Sequence, residues 1–531
     1  MAIAITNITN VLRLVACGND IAYYEDINVA AGTMTALAAS DADIDTSDNL
    51  NMFEGFQKVY VVNGANLKVI DFKNAELTHG ALGTQHAVGD ILTQAVTAAV
   101  MVVDFTNTAK TKTYGYVTSG TFNSTNAVTG SGSGSGFTPT GTDTGVPGGN
   151  DPHWYDWTVY PGGASGAMIA KAYLGCLYRG RCVISGNPNY PYQWYMSKVG
   201  DPYNWVYGAN NALSAIAGKD GKAGELGDVI RALIPYQDEY LLFGCANSIW
   251  ALRGDPADGG SLTPLNVSIG VFGNQSWCFD AGMNLYFASK SGIHKIPYGF
   301  GPIQNLSQFV LPNLVEDTNI DPAIHRITMG YDREREGILI SITTIDTGAN
   351  VCYWYDIGTE GFYPESYPAT CGAYSMFFHS ANDDAYRKLL IGCTDGYIRK
   401  FDGTAKDDVT TNGTTAISSY MTLPIITVEE DDTDLKINSV LVTTAGGAAG
   451  GAASDTDSVD VEIYTADGAE EVVEAIEDGD TPLHNTTITG PGKSNRLRNR
   501  TRGKAIGIRL ANDTATSTWA IERVSANVKE V

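Results

Sequence analysis

Residues with the chemistry of catalysts or metal ligands are widely separated in this 531-residue sequence. The histidines stand at 79, 86, 153, 294, 325, 379 and 484, and none has metal-ligand spacing such as H-E-x-x-H. No G-x-S-x-G nucleophile elbow, Walker loop or sialidase-type Asp box occurs. Carboxylates on neighbouring strands could still meet in a cleft, as they do in glycosidases. We nevertheless predict that the protein is not an enzyme, and we expect no catalytic residue, cofactor or metal site.

A run of basic residues near the C-terminus stands out because the chain has a formal net charge of −25. Its members are Lys493, Arg496, Arg498, Arg500, Arg502, Lys504 and Arg509, with no acidic residue among them. Three interpretations are open: a solvated loop, an electrostatic dock for an acidic neighbouring subunit, or a phosphate contact with passing nucleic acid. We take these seven residues as a candidate subunit or phosphate contact.

Composition favours a turn-rich β protein over a helical one. The chain has 59 glycines and 28 tyrosines, and only 18% of its residues are charged. The negative net charge disfavours a general nucleic-acid-binding surface, because neutralising phosphates requires Lys and Arg. It is compatible with a conduit whose wall repels nucleic acid rather than gripping it.

Eight cysteines without C-x-x-C spacing predict buried free thiols and assembly in a reducing cytoplasm. The first residues lack the basic region of a signal peptide, and no 18-residue apolar run predicts a membrane span.

A repeated hairpin pattern indicates the architecture that holds these residues. The stretch 240–254 has two apolar runs joined by Gly, Asn and Ser, and it ends at a glycine. Similar stretches lie at 59–72, 180–196, 285–299, 337–355 and 388–403. From residue 180 onward they start every 45 to 60 residues, and the longer interval after 59 fits this period once the segment 78–150 is removed. Self-similarity at this period is typical of a β-propeller, here with about six blades. Unrelated hairpins in an all-β protein are the alternative.

The rhythm of the repeat also predicts domain boundaries. Residues 1–77 form the first part of the propeller, and residues 78–150 form an inserted small β-barrel or sandwich domain that ends in a flexible linker, 130–136. Residues 151–415 complete the propeller. Alternating strands after residue 416 predict a C-terminal β-sandwich domain, 416–531.

Aromatic clusters at 152–157, 188–205 and 353–355 have two interpretations. Tryptophan and tyrosine at such positions pack domain interfaces, which we favour, or they stack on sugar rings. The second interpretation corresponds to a carbohydrate- or receptor-binding propeller of a phage tail, which we keep as the alternative function.

Several segments resemble a known family. The segments GDVIRALIPYQDEYLLFG (227–244) and SIWALRGDP (248–256), and RCVISGNP (181–188) with Trp194 and GDPYNW (200–205), resemble the tail hub or nozzle proteins of short-tailed bacteriophages, also called phage DNA-stabilisation proteins. The segment 269–276 is similar as well, and the ending from residue 501 resembles C-terminal β-domains of such virion proteins. The resemblance is clearest over 177–300 and weaker over 327–403.

This resemblance implies a structural virion protein, assembled in the host cytoplasm, that forms a ring of six copies below the portal and adaptor proteins. The ring would extend the DNA channel, retain the packaged genome until ejection, and anchor tail fibres or spikes. Viral DNA would pass through the lumen without sequence-specific binding.

Overall fold

The computed structural model describes most of the chain in two compact units. The described residues are 2–6, 11–25, 32–37, 44–46, 48–143, 152–157, 167–208, 211–219, 224–312, 314, 319–381, 383–427, 433–446, 455–492, 494–498 and 500–531. The propeller unit comprises 1–365 and 371–401, and the C-terminal unit comprises 366–370 and 402–531.

Within the described residues, the propeller unit contains seven blades, each a small antiparallel sheet. Blade 1 consists of β1 (Ala2–Thr6), β2 (Val11–Gly18), β3 (Ile21–Glu25) and β4 (Met34–Ala36). Blade 2 consists of β5 (Asn51–Gly55), β6 (Lys58–Asn63), β7 (Asn66–Asp71) and β14 (His153–Asp156). Blade 3 consists of β15 (Leu174–Tyr178), β16 (Arg181–Asn187), β17 (Tyr190–Met196) and β18 (Ile216–Gly218).

The other four blades follow in chain order. Blade 4 consists of β19 (Ile230–Tyr236), β20 (Tyr240–Cys245), β21 (Ile249–Arg253) and β22 (Ser261–Asn266). Blade 5 consists of β23 (Trp277–Phe279), β24 (Leu285–Ser289), β25 (Gly292–Ile296) and β26 (Gln304–Asn305). Blade 6 consists of β27 (His325–Asp332), β28 (Gly337–Thr344), β29 (Asn350–Asp356) and β30 (Gly361–Glu365). Blade 7 consists of β31 (Ala373–Phe378), β32 (Leu389–Cys393) and β33 (Ile398–Lys400). Short 3-10 turns lie at Pro256–Asp258, Ala369–Cys371 and Asp384–Tyr386.

The predicted all-β propeller is confirmed, and each repeated hairpin supplies the second and third strands of a blade. The blade number is seven rather than about six. The difference arises at the N-terminus, where β1 to β4 form a four-stranded blade that none of the repeated stretches marks.

The hairpin of blade 4 shows why the apolar runs fold in this way. Most residues of β20 and β21 are buried, because the sheet has a neighbouring blade on each face. Continuous apolar runs therefore replace the alternation of a half-exposed strand. The connecting turn is fixed by the carboxylate of Asp228, which accepts hydrogen bonds from the Asn247 amide (2.8 Å) and the Ser248 hydroxyl (2.9 Å).

Side-chain contacts between blades 1 and 7 close the propeller. Glu25 Oε2 lies 3.5 Å from Nε2 of the buried His379. The Gly32 amide donates a hydrogen bond to Glu25 Oε1 (2.9 Å). Gly32 has a φ of +79° and packs so closely on the Tyr386 ring that a Cβ atom would overlap it. Ring closure in this propeller therefore depends on side chains of blade 1 meeting those of blade 7.

Six further strands are inserted between β7 and the outermost strand of blade 2, β14. They are β8 (Ala75–Thr78), β9 (Ile91–Gln94), β10 (Val100–Thr106), β11 (Lys112–Ser119), β12 (Val128–Gly130) and β13 (Gly141–Asp143). They form one antiparallel sheet in the order β12-β9-β10-β11-β8-β13, with its own apolar core.

The glycine-rich segment 130–136 is not the flexible linker that its composition indicated. It includes the end of β12, and its Ser135 hydroxyl accepts a hydrogen bond from the Thr84 amide (3.0 Å). Gly130 and Gly134 pack against the buried His86 ring, where a Cβ atom would overlap the imidazole. The glycines are thus explained by close packing rather than by chain mobility.

In the described residues of the C-terminal unit, two sheets and one helix form its body. The front sheet contains β38 (Leu435–Thr444), β41 (Ser494–Leu497), β42 (Thr501–Gly503) and β44 (Ile521–Glu530). The back sheet contains β36 (Ser419–Thr422), β37 (Ile426–Thr427), β39 (Ser458–Ala466), β40 (His484–Thr489) and β43 (Ala505–Asn512). A hairpin of β34 (Asp407–Thr410) and β35 (Gly413–Ala416) precedes them, and helix α1 spans Ala469–Glu477.

These elements stack in three layers. The front sheet packs on the inner face of the back sheet through residues such as Ile437, Val461 and Ile508. Helix α1 covers the other face of the back sheet, where Val472 and Ile476 pack against Tyr464, Ala505 and Gly507. The predicted β-sandwich is confirmed, whereas the helix on its outer face was not expected.

Candidate functional site

One exposed strip of the front sheet contains four arginines of the predicted basic run, Arg496, Arg498, Arg500 and Arg502. Strands β41 and β42 pair end to end along the same neighbour, β38. Side chains alternate between the two faces of a strand, so Leu497 and Thr501 point towards the core. Arg496, Arg498, Arg500 and Arg502 are exposed.

Strand register extends this strip across the front sheet. Lys436 on β38 is paired with Arg502 on one side and with Lys529 on the other. Thr443 is paired with Arg523. Directly paired residues share a face of the sheet, so these cations join the strip on one outward surface. We call this surface the basic face; it contains Lys436, Arg496, Arg498, Arg500, Arg502, Arg523 and Lys529.

Among the described residues, the basic face contains one ion pair, in which Arg502 Nε lies 2.6 Å from Asp434 Oδ2. Both partners are at least partly exposed, so this pair contributes little stability. The remaining cations are thus available to an external partner.

The other members of the predicted run lie elsewhere. Lys493 lies outside the described residues, and Lys504 is half-buried between β42 and β43. Arg509 belongs to the back sheet, on the face away from the front sheet. Its guanidinium donates to Glu462 Oε2 (3.2 Å) and lies 4.7 Å from the centre of the Tyr420 ring. Arg509 therefore has a local partner and is not part of the basic face.

The segments that resemble phage hub proteins contain the residues that fasten blade 3 to blade 4. Arg181, on β16, is fully buried, and its guanidinium donates to Asp255 Oδ2 (3.0 Å) beyond the end of β21. It also donates to three main-chain carbonyls, those of Ser197 (2.9 Å), Ala212 (2.6 Å) and Ser214 (2.6 Å). The same Asp255 caps the following turn by accepting a hydrogen bond from the Ala257 amide.

Aromatic residues of the predicted clusters are largely buried. Trp194 packs on Phe243 of blade 4 and donates to the Gly224 carbonyl (3.0 Å). Trp157 and Trp205 both donate to the carbonyl of Pro202. Sugar recognition by stacking requires an exposed ring face, which these tryptophans lack. The packing interpretation of the clusters therefore fits these residues, although Tyr190 is 50% exposed.

A buried charged network joins the insert to blade 2. Lys58 on β6 is fully buried and contacts Asp104 of the insert, while Asp71 Oδ2 lies 3.8 Å from the same ammonium. The Asn74 amide bridges the two carboxylates, at 2.8 Å from Asp71 and 2.7 Å from Asp104. Tyr155, on the strand that follows the insert, donates to Asp71 (2.6 Å).

Electrostatics keep this network charged. Burial alone would lower the pKa of Lys58, but the negative charges around it, above all that of Asp104, raise the pKa well above its ordinary value. Burial alone would likewise raise the pKa of Asp104, but the charge of Lys58 holds it below the ordinary value. Since the buried ammonium and the two carboxylates face one another, the arrangement is that of a structural clamp.

The described residues contain no group of three or more His, Cys, Asp or Glu side chains that could hold a metal ion. All eight cysteines are free thiols, and seven of them are buried. Burial raises the pKa of the Cys245 and Cys352 thiols to about 12, so they are poor nucleophiles. In the described part of the chain, no helix is long and apolar enough to cross a bilayer.

Comparison with known proteins adds no assignment. No family model matches the chain, and no curated protein matches its sequence significantly. Among solved structures, the extracellular domain of a one-component system from B. thetaiotaomicron is similar at 9% identity and a TM-score of 0.27, over 73% of this chain and 43% of that one. A Bacteroides thetaiotaomicron protein of unknown function is similar at 11% identity and a TM-score of 0.27, over 67% of this chain and 87% of that one. Tricorn protease is similar at 11% identity and a TM-score of 0.27, over 73% of this chain and 41% of that one. At such TM-scores, these similarities indicate neither a family nor a function.

Proposed function

We propose that this protein is a non-enzymatic structural subunit of a short-tailed phage tail, a hub or nozzle that assembles as a ring around a DNA channel. The proposal rests on where the family-like segments lie in the fold. The segments that resemble that family include Arg181, Asp228 and Asp255, and these side chains fix the blade-4 hairpin and fasten blade 3 to blade 4. The resemblance is thus one of framework residues, as expected when a scaffold rather than a reaction is shared.

The distribution of charge supports a conduit rather than a nucleic-acid grip. Residues 402–531 contain 22 acidic and 11 basic residues, a formal charge of −11, and the remaining residues contribute −14. A net negative wall gains nothing by releasing counterions from DNA, so passing DNA would not adhere. In this role the subunit extends the channel below portal and adaptor proteins, retains the genome, and anchors fibres or spikes.

Co-assembly is the experiment that tests this proposal. The full-length protein is mixed with portal and adaptor proteins of a short-tailed phage, and the products are separated by size-exclusion chromatography with light scattering. The proposal expects a stoichiometric ring on the portal–adaptor complex. A protein that does not bind this complex, stays monomeric at all concentrations, and binds glycans tightly would contradict it and favour a receptor-binding propeller instead.

A further inference from the structure

Helix α1 gives the C-terminal unit a second charged surface, opposite in sign to the basic face. Its apolar residues Val472 and Ile476 are buried against the back sheet. All the acidic residues of the helix and of the residue that follows it are exposed. We call this surface the acidic face; it contains Glu470, Glu471, Glu474, Glu477 and Asp478.

The C-terminal part of the acidic face is unfavourable for the isolated helix, whereas the helix dipole favours Glu470 and Glu471 in the first turn. Glu477 and Asp478 lie at the C-terminal end of α1, where the helix dipole favours cations, and the last turn contains no basic residue. Glu474 lies one turn from Glu470 and from Asp478, and like charges at this spacing repel. Of the ion pairs that the structure describes in the C-terminal unit, none involves these five carboxylates.

Layer order places the two charged surfaces on opposite sides of the C-terminal unit. The basic face lies on the outer side of the front sheet, and α1 lies on the outer side of the back sheet, with the sandwich core between them. One copy cannot bring its own two faces together. The basic face of one copy can, however, meet the acidic face of the next, and such head-to-tail contacts close into rings when the rotation between copies allows it.

We propose that the basic face binds the acidic face of a second copy of this chain. The inference deepens the proposed function, on which it rests, by assigning surfaces to the contacts between ring subunits. Charge complementarity favours this occupant over a nucleic acid, because each unit carries both the cations and the carboxylates that would neutralise them. Since the charged side chains are exposed, we expect the contact to weaken as salt increases.

A charge-swap experiment on the full-length protein tests the contact. One variant reverses the basic face, Arg496→Glu with Arg498→Glu and Arg500→Glu, and a second reverses the acidic face, Glu470→Lys with Glu471→Lys and Glu474→Lys. Each variant alone should lose self-association in sedimentation velocity, with the association constant reduced at least roughly tenfold. An equimolar mixture of the two, and a variant with both faces reversed, should regain it, because opposite charges then face each other again.

The matched control reverses three exposed lysines of the propeller unit, Lys171→Glu, Lys219→Glu and Lys290→Glu, which changes the net charge by the same amount as reversal of the basic face. It should associate like the wild type. Single-face variants that still assemble would overturn the contact and leave the proposed function standing. The contact would also be overturned if the variant with both faces reversed did not regain self-association. The same holds if reversing the basic face abolished binding to a DNA duplex but left self-association intact. Rings that obey the swap but do not bind portal and adaptor would overturn the proposed function alone.

Discussion

Replacing Arg181 with methionine tests whether the motifs of the resemblance hold the propeller together. Methionine fills much of the space of the buried side chain but donates no hydrogen bond. The carbonyls of Ser197, Ala212 and Ser214 lose a donor, and the Asp255 side chain, only 17% exposed, loses its counter-charge. Removing one partner of a buried ion pair costs about 3–5 kcal/mol, and we expect a loss of this size in the free energy of unfolding.

Urea denaturation followed by tryptophan fluorescence measures this loss, since Trp194 and Trp205 are buried in the folded protein. The matched control is Arg253→Met. Arg253 also pairs with a carboxylate, Glu239 at 3.0 Å, but the two side chains are 64% and 52% exposed. Exposed pairs contribute about 0–1 kcal/mol, so the control should be nearly neutral. A loss at Arg181 no larger than that of the control would refute the reasoning.

Three further predictions concern the clamp at the insert and the packing of blade 3. Lys58→Met should destabilise the protein by about 3–5 kcal/mol and speed amide hydrogen exchange in the insert, because two carboxylates lose their cation. An additional Asp104→Leu should recover part of the lost stability. Unchanged amide exchange in Lys58→Met would contradict the clamp. Because the pKa of Asp104 is lowered in the folded protein, its stabilisation is full above its ordinary value of 3.8 and is lost as the pH falls through the lower folded value. Denaturation curves measured across this acidic range should therefore depend less on pH in Asp104→Asn than in the wild type, and equal slopes would count against the pair. Gly218→Ala should displace the Trp194 indole, lower stability by about 1–3 kcal/mol and shift the fluorescence to the red, whereas Gly227→Ala, which has open space around it, should do neither.

The propeller was predictable because its signal is local. Each hairpin carries its own apolar runs and turn residues, as at 240–254, and the blades repeat them. Blade 1 lacks that pattern, although the Asn19-Asp20 turn between β2 and β3 would have indicated a hairpin there. Both residues have positive φ, 51° and 58°, as a two-residue hairpin turn requires. Helix α1 was also predictable from the sequence, since Val472 and Ile476 are spaced by one turn within a run of good helix formers.

The candidate site was only partly predictable, because its assembly depends on long-range pairing. The basic run is visible in the sequence, but the chain passes from the front to the back sheet between β42 and β43, which moves Arg509 to the opposite surface. Lys436 and Lys529 join the basic face only through strand register. The partnership of Arg181 with Asp255 likewise spans 74 positions and has no local signature.

Electron cryomicroscopy of the full-length protein, mixed with the portal and adaptor proteins that we propose as its partners, tests the central claim most directly. We predict a closed ring of identical copies around an open channel coaxial with the portal, in which each copy contains a seven-bladed propeller. A single copy, an open filament, or a ring without a continuous channel would contradict it.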